Sequence, residues 1–445
     1  MKIRFVLFVY LATMTVCFSQ TAMQVGIAKI NITPTSTAFL TGYANRDKPA
    51  EGVLHDLWAK ALVLSNKDEK IILVTTDLLG LSHQVSTEVA EKVKEKLGIE
   101  RRQLLFNSSH THSGPMIWPS LSVIAEYSPQ DQKNVSEYTQ VLVDKLIQVI
   151  TNAYANQEAM QVFVGHTSAD FAINRRALAA QKNGLSLPGP IDHDVPVLKI
   201  MNSAGEIKGV LFGYACHNTT LMGNNYLING DYAGFAQLYI EKKIPTATAF
   251  FMLGCAGDQN PEPRGTVELA QKHGNSLGDQ VVNLVNTGTL KPIKNEIQSY
   301  FSNIPLKFKK VPAADYQKDL QSSDKFIQRR AKLMLEAYNK GWNTDYYQYP
   351  VQGIRLGNEF RIIALGGEVV VDYSLRTKKE FPDKHIFVAG YSNEVMCYIP
   401  SERVLQEGGY EADSSMIYYG MPGPFEKGIE EKIMEAIYLT IKKIK

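Results

Sequence analysis

Short apolar segments that run directly into small-residue loops carrying polar side chains recur along this 445-residue chain. In α/β enzymes the loops at strand ends present the chemically active side chains, so this recurrence strongly constrains the fold. It predicts an α/β fold with a mixed β-sheet core flanked by helices and with active-site loops at the strand ends. The apolar segments are residues 103–106, 210–215, 248–253, 361–365 and 385–389.

The remaining patterns fit one compact unit. Apolar runs at residues 58–64 and 71–76 are separated by a short polar turn, which predicts a β-hairpin. The charged region 307–349 interrupts the strand pattern and indicates a helical insertion. Because no internal repeat, low-complexity linker or Pro/Gly-rich hinge divides the chain, we expect a single catalytic domain over residues 21–445. Helices are predicted at 88–97, 135–152, 233–243, 267–286 and 324–339.

The first 20 residues have the pattern of a signal peptide. Lys2 and Arg4 form a positive start, and residues 5–18 are almost wholly apolar. This stretch is shorter than the roughly 20 residues that a transmembrane helix needs. We therefore expect a secreted, periplasmic or cell-envelope protein, with an uncleaved anchor or lipidation at Cys17 as the alternatives.

Charge and cysteine content exclude two classes of protein. The formal net charge is +2, and the predicted leader carries both excess positive charges. A neutral chain without basic runs is a poor nucleic-acid binder. Outside the leader three cysteines remain, Cys216, Cys255 and Cys397, and this odd number excludes a complete disulfide framework.

Two histidines in the loop after residues 103–106 are candidates for metal binding. His110 and His112 are two residues apart, so they project to the same side of an extended chain. Neutral imidazole is the commonest metal ligand in proteins, and a second imidazole can transfer protons. The alternative is a pair of hydrogen-bonded loop histidines with no ligand.

Further polar side chains stand at the other strand ends. His217 follows residues 210–215, and Glu368 follows two glycines that allow a tight turn toward a metal. Arg175 could pair with a carboxylate or an oxyanion. Taken singly, each residue also has a structural explanation: a core histidine, a turn carboxylate or a surface ion pair.

Together these segments resemble the neutral (non-lysosomal) ceramidase family, in its N-terminal catalytic part. The resemblance runs from Gly26 almost to Gly420 and keeps the order of the family's motifs. These motifs are Val25-Gly26-Ile27-Ala28, Ile32-Thr33-Pro34, Gly42-Tyr43-Ala44, His110-Thr111-His112-Ser113-Gly114-Pro115, Asn174-Arg175, the His217 segment, Gly257-Asp258, Gly367-Glu368, Ser392-Asn393, Tyr398 and Tyr410.

The resemblance implies a Zn²⁺ site and a set of catalytic residues. The zinc ligands would be two histidines, a glutamate and a tyrosine: His110, His217, Glu368 and Tyr398. Substrate contacts and proton handling map to His112, Arg175 and Tyr410. One departure concerns the family's G-D-x-S-P loop, because Asn260 stands here in the position of the active-site serine. Asparagine cannot act as that nucleophile, although its amide can still donate a hydrogen bond.

The function implied is zinc-dependent hydrolysis of the amide bond of ceramide-like N-acyl lipids, giving a fatty acid and a sphingoid base. The partner expected is a small amphiphilic lipid, reached by peripheral contact with a membrane surface, and no protein partner is implied. The family also has a C-terminal β-sandwich module, whereas only residues 421–445, a predicted helix, follow the last motif here. Two alternatives stay open: a hydrolase or lyase acting on another amide, ester or glycan, and a non-catalytic binding protein, which Asn260 would favour.

Overall fold

The structure is a computed structural model that describes residues 22–124, 126–187, 189–287, 290–382 and 385–445. The signal peptide predicted for residues 1–20 lies outside these ranges. None of the helices within them combines the length and apolar character that crossing a membrane requires.

The strands are formed by the apolar runs seen in the sequence. In the hairpin formed by residues 58–76, nearly every side chain is buried on both faces, which is typical of central strands covered on two sides. In chain order the strands are β1 (Ala22–Asn31), β2 (Gly52–Val53), β3 (Trp58–Ser65), β4 (Lys70–Thr76), β5 (Leu104–Ser108), β6 (Gln157–Ser168), β7 (Ala172–Asn174), β8 (Asp194–Asn202), β9 (Ile207–Tyr214), β10 (Leu227–Ile228), β11 (Thr248–Leu253), β12 (Gln259–Pro261), β13 (Lys291–Pro292), β14 (Ile297–Lys307), β15 (Tyr346–Leu356), β16 (Phe360–Leu365), β17 (Glu368–Val369), β18 (Ile386–Ala389) and β19 (Tyr398–Ile399).

The helices begin and end at recognisable capping residues. The first begins after Ser82, whose side chain accepts a hydrogen bond from the Val85 amide, and ends at Gly98, which has φ +68°. In chain order the helices are α1 (His83–Leu97), α2 (Pro129–Ala155), α3 (Arg175–Lys182), α4 (Asp231–Lys243), α5 (Val267–Thr287), α6 (Ala313–Asp319), α7 (Lys325–Lys340), α8 (Asp372–Glu380), α9 (Glu402–Glu407) and α10 (Ile429–Lys443).

The predicted mixed-sheet core with flanking helices is confirmed, and it consists of two sheets. The larger sheet has the order β11-β9-β8-β6-β1-β3-β4-β5, with β13 paired to β6, and the smaller has the order β14-β15-β16-β18. Both contain parallel and antiparallel pairs. The charged insertion predicted at 307–349 is the connection between β14 and β15, and it holds α6 and α7.

The two sheets pack face to face, with helices on their outer faces. One buried apolar cluster joins them, with Phe250 and Met252 from the larger sheet and Ile362 and Phe387 from the smaller. Gly213 is needed in this interface, because a Cβ there would lie 2.5 Å from the Phe387 ring. The larger sheet is covered by α1, α2, α4 and α5, and the smaller by α8 and α10.

The candidate site lies where parallel strands of both sheets end. The Asn107 side chain at the end of β5 bridges the sheets, since its Nδ2 donates to Gly390 O at 2.8 Å. Its Oδ1 accepts from the Leu253 amide at 2.7 Å. The loops that follow β5, β9, β11, β16 and β18 are thereby gathered at one edge of the molecule.

Candidate metal centre and active site

Two buried imidazoles are held in one tautomer by backbone carbonyls. His110 Nδ1 lies 2.6 Å from Leu79 O, and His217 Nδ1 lies 2.6 Å from Ala256 O. A carbonyl only accepts, so each Nδ1 carries the proton and each Nε2 presents a lone pair. His110 adopts a left-handed backbone with φ +60°, which turns its ring inward from the loop.

The carboxylate of Glu368 meets both imidazoles at one point. Its Oε2 lies 3.1 Å from His110 Nε2 and 3.0 Å from His217 Nε2. The preceding Gly367 has φ +76°, and a Cβ there would lie 2.7 Å from Cys397 O, so the glycine turn is required. Burial alone would raise the pKa of Glu368, but His110 and His217 hold that pKa well below its usual range. The carboxylate is therefore ionised at neutral pH.

This arrangement fits a cation. Oε2 of Glu368 and the Nε2 atoms of His110 and His217 converge on one point, and with both Nδ1 atoms occupied by backbone carbonyls these are the atoms left to bind a metal ion. Ligand atoms around a tetrahedral Zn²⁺ lie about 3.3 Å apart, close to the separations just given. The three histidines His110, His112 and His217 also form a cluster whose ligand atoms lie within 4.8 Å of one another and that could hold a metal ion.

His112 differs from the other two histidines in how it is held. Its Nε2 lies 3.2 Å from His110 Nε2, while its Nδ1 is buried and has no hydrogen-bond partner within the described ranges. No carbonyl fixes its tautomer, so either nitrogen can carry the proton. Burial and the neighbouring His110 lower its pKa well below the usual value. A neutral imidazole of unfixed tautomer is suited to transferring a proton.

The predicted ligand Tyr398 is linked to Arg175. The Tyr398 hydroxyl lies 3.5 Å from His217 Nε2 and accepts from Arg175 Nη2 at 3.0 Å. Burial raises the pKa of the Tyr398 phenol well above its usual value, against the opposing effect of Arg175. Arg175 is itself anchored, because its Nε donates to Glu411 Oε1 at 2.8 Å. The sequence left open a carboxylate or an oxyanion as the partner of Arg175, and the structure provides a carboxylate.

Asn260 and Tyr410 flank this group. The Asn260 side chain is buried, and its amide lies 3.4 Å from Arg175 Nη1. Tyr410 is 44% exposed, and its ring centroid lies 5.4 Å from that of Tyr398. Tyr410 is thus partly open to solvent beside the buried ring of Tyr398. All eight predicted site residues lie within this one region.

Three residues that the sequence did not single out complete the surroundings. Tyr419 donates its hydroxyl to Glu368 Oε1, and the Tyr391 hydroxyl lies 3.5 Å from Glu368 Oε2. Glu411 anchors Arg175 as described. Tyr391 follows Gly390 at the end of β18, so the strand-end pattern could have found it. Tyr419 follows no strand and had no such signal.

We expect Tyr419→Phe to weaken metal binding about tenfold without unfolding the protein. The change removes the hydrogen bond behind Glu368 and keeps the ring, and such partners are typically worth 10–100-fold in affinity. Competition with a chromophoric chelator measures the effect. Tyr418→Phe is the matched control, since the Tyr418 hydroxyl has no protein partner in the described residues. Equal affinity in both variants would contradict this role of Tyr419.

The metal-free protein is expected to lose stability on acidification from about pH 6.5. Burial and the nearby Arg175 lower the pKa of His217 from 6.5 to about 4. As the pH falls, His217 therefore becomes protonated in the unfolded chain before it does so in the folded protein. The free energy of unfolding therefore falls between these two values, and Glu368 adds a further loss below its ordinary 4.5. Urea unfolding from pH 7.5 to 4 checks this. A His217→Gln variant that declined as steeply as the parent chain would count against it.

Comparisons with known proteins show which family this chain resembles. The family model described as neutral/alkaline non-lysosomal ceramidase, N-terminal, matches residues 23–267. The neutral ceramidase of Pseudomonas aeruginosa is 25% identical over 247 residues, covering 53% of this chain and 36% of that protein. The neutral ceramidase of Oryza sativa subsp. japonica is 26% identical over 226 residues, covering 49% and 28% respectively. This chain therefore covers about a third of these relatives' length.

A solved structure shares the fold. The crystal structure of neutral ceramidase from Pseudomonas aeruginosa superimposes with a TM-score of 0.69 at 18% sequence identity. The superposition covers 88% of this chain and 70% of the crystallised chain. It covers more of this chain than the residues that the family model matches.

Proposed function

Because the chain belongs to the neutral/alkaline non-lysosomal ceramidase family, we propose that it is a zinc-dependent hydrolase of ceramide-like N-acyl lipids. The observation that carries the proposal is the convergence of His110, His217 and Glu368, whose ligand atoms face one another at 3.0–3.1 Å. These residues and Tyr398 would hold the Zn²⁺. When bound, the ion supplies Lewis acidity, which lowers the pKa of a water ligand and polarises a carbonyl.

The remaining residues would carry the proton and orient the amide. His112 takes the proton of the attacking water and returns it to the leaving amine as the C–N bond breaks. Arg175, anchored by Glu411, holds the Tyr398 hydroxyl in place. Tyr410 donates a hydrogen bond to the amide oxygen as negative charge develops there. The products are a fatty acid and the free amine of a sphingoid base.

Asn260 has a supporting role in this scheme. It offers an amide where the family's serine would offer a hydroxyl, and it contacts Arg175. The same loop is braced by Asp258, whose carboxylate accepts from Asn174 Nδ2 at 2.8 Å and from the Val371 amide at 3.0 Å. The backbone next to position 260 is thus held by contacts that do not involve the Asn260 side chain.

Because a signal peptide is predicted at residues 1–20, we propose that the enzyme is secreted, periplasmic or part of the cell envelope and that it reaches its lipid by peripheral contact with a membrane.

A substrate panel tests the proposed reaction. Zinc-loaded protein is incubated with a short-chain ceramide, an ester of the same fatty acid and a uronic-acid glycan. We expect fatty-acid release from the ceramide that stops on chelation and returns with zinc. Turnover of the ester or glycan alone would overturn the assignment of an amide substrate.

A further inference from the structure

The side chains around Asn260 form a corner with more hydrogen-bond donors than acceptors. Arg175 Nη1 lies 3.4 Å from one terminal atom of the Asn260 carboxamide, and Arg264 Nη1 lies 3.2 Å from the other. The carboxamide has one acceptor oxygen, so it can serve only one guanidinium in either orientation. The Thr219 hydroxyl, 3.5 Å away, adds another donor.

The two arginines of this corner differ in charge compensation. Arg175 forms an ion pair with Glu411 at 2.8 Å. Arg264 forms no ion pair with a carboxylate in the described part of the chain, although its side chain is half-buried. A half-buried guanidinium without a counter-charge is costly, and an anionic ligand would remove that cost.

A third arginine, Arg46, adds positive charge near the metal centre. Arg46 donates to the backbone carbonyls of Thr41 at 2.8 Å and Asn225 at 3.0 Å and to that of His112. It likewise has no carboxylate partner in the described ranges. The buried acid Asp231 accepts from the Thr220, Leu221 and Tyr232 amides, so its hydrogen-bond partners are backbone groups and not an arginine.

The polar corner is connected to the metal centre through side chains. The Asn260 carboxamide lies 3.4 Å from Arg175 Nη1, and Arg175 Nη2 donates to the Tyr398 hydroxyl at 3.0 Å. The Tyr398 hydroxyl in turn lies 3.5 Å from His217 Nε2. A group bound at Arg264 would therefore lie close to the amide bond of a substrate held at the centre.

We propose that Arg264 and Asn260 form an anion-binding subsite, and that the N-acyl substrate carries an anionic group close to its amide bond. This inference rests on the proposed amide hydrolysis. The chemistry fits a carboxylate, sulfate or phosphate, since each offers several acceptors to a fork of N–H donors. Arg264 is then a specificity-determining residue, and neutral ceramide is the poorer substrate.

Two lipids that differ in one headgroup test this. N-lauroylglycine carries a carboxylate where N-lauroylethanolamine carries a hydroxyl, and the acyl chain is the same. We expect kcat/KM to favour the glycine amide about tenfold or more, as for a charge-assisted hydrogen bond. Arg264→Gln should abolish that preference. Arg376→Gln, which alters a guanidinium paired with Glu430 and Glu431 in the outer helices, should keep it.

The outcomes separate this proposal from the proposed function. Hydrolysis without charge preference, or a preference that Arg264→Gln leaves intact, overturns the subsite and leaves the amide hydrolase standing. If neither lipid is cleaved, calorimetric binding of the same lipids to zinc-loaded protein decides on the subsite, and the ceramide assay described above decides separately on the hydrolase. Tighter binding of N-lauroylglycine that is lost in Arg264→Gln supports the subsite, and equal binding of both lipids overturns it.

Discussion

Replacing His110 with alanine is expected to remove the bound metal and to lower amide hydrolysis at least about a thousandfold. Partners behind a metal ligand are typically worth 10–100-fold in affinity, and loss of the ligand itself should exceed this. His110 presents its Nε2 because Leu79 O holds the proton on Nδ1.

A second variant is needed because His110 has an unusual backbone conformation, which alanine could disturb. The residue has φ +60°, a conformation that asparagine tolerates better than alanine does. His110→Asn should therefore keep the fold and lose the metal, which separates a ligand role from a folding role. His166→Ala is the matched control, because His166 pairs with Asp194 on the neighbouring strand and takes no part in the candidate metal centre. Bound metal measured by mass spectrometry and fatty-acid release report on all three variants, and full activity in His110→Asn would refute the ligand assignment.

Glu368→Gln is expected to have opposite effects on the metal-free and metal-loaded protein. The substitution keeps the shape of the side chain and removes a buried negative charge beside His110 and His217. Without metal, the unfolding free energy should stay equal or rise, because replacing buried charge with a neutral group is often neutral or stabilising. With zinc, the gain in stability from metal binding should largely vanish, and activity should fall at least about a hundredfold.

Thermal unfolding with and without zinc measures both effects on one sample. Glu241→Gln is the control, since Glu241 pairs with Lys60 at 3.1 Å in the helix layer away from the centre. It should lower stability in both states and leave the zinc-induced gain unchanged. A Glu368→Gln protein that retained the full zinc-induced gain would contradict the proposed coordination.

The strand ends were predictable because their signal is local. An apolar run followed by small residues and a polar side chain is visible in one short segment, as at residues 361–368. The requirement for glycine before Glu368 follows from the tight turn itself. The helix ends were also readable, as at Gly98, where the left-handed cap ends α1.

Sequence patterns alone could not predict that these strand ends meet at one site. It depends on pairing between distant strands and on two sheets that face each other, neither of which leaves a local periodicity. Asn107 shows this, because it bonds to Leu253 and Gly390 from different sheets. The resemblance to a known family supplied the grouping of His110, His217, Glu368 and Tyr398. The Tyr419 contact and the Asn260–Arg264 corner needed the assembled structure.

Titration of metal-free protein with zinc, with ceramide hydrolysis followed in the same sample, shows whether the metal centre is responsible for hydrolysis. If the centre formed by His110, His217, Glu368 and Tyr398 drives hydrolysis, activity will rise in proportion to bound zinc and stop rising at about one ion per chain. Zinc binding at that ratio without ceramide turnover would keep the metal centre and make Asn260→Ser the next variant to test. Ceramide turnover by protein that holds no metal would contradict the proposed role of this centre in hydrolysis.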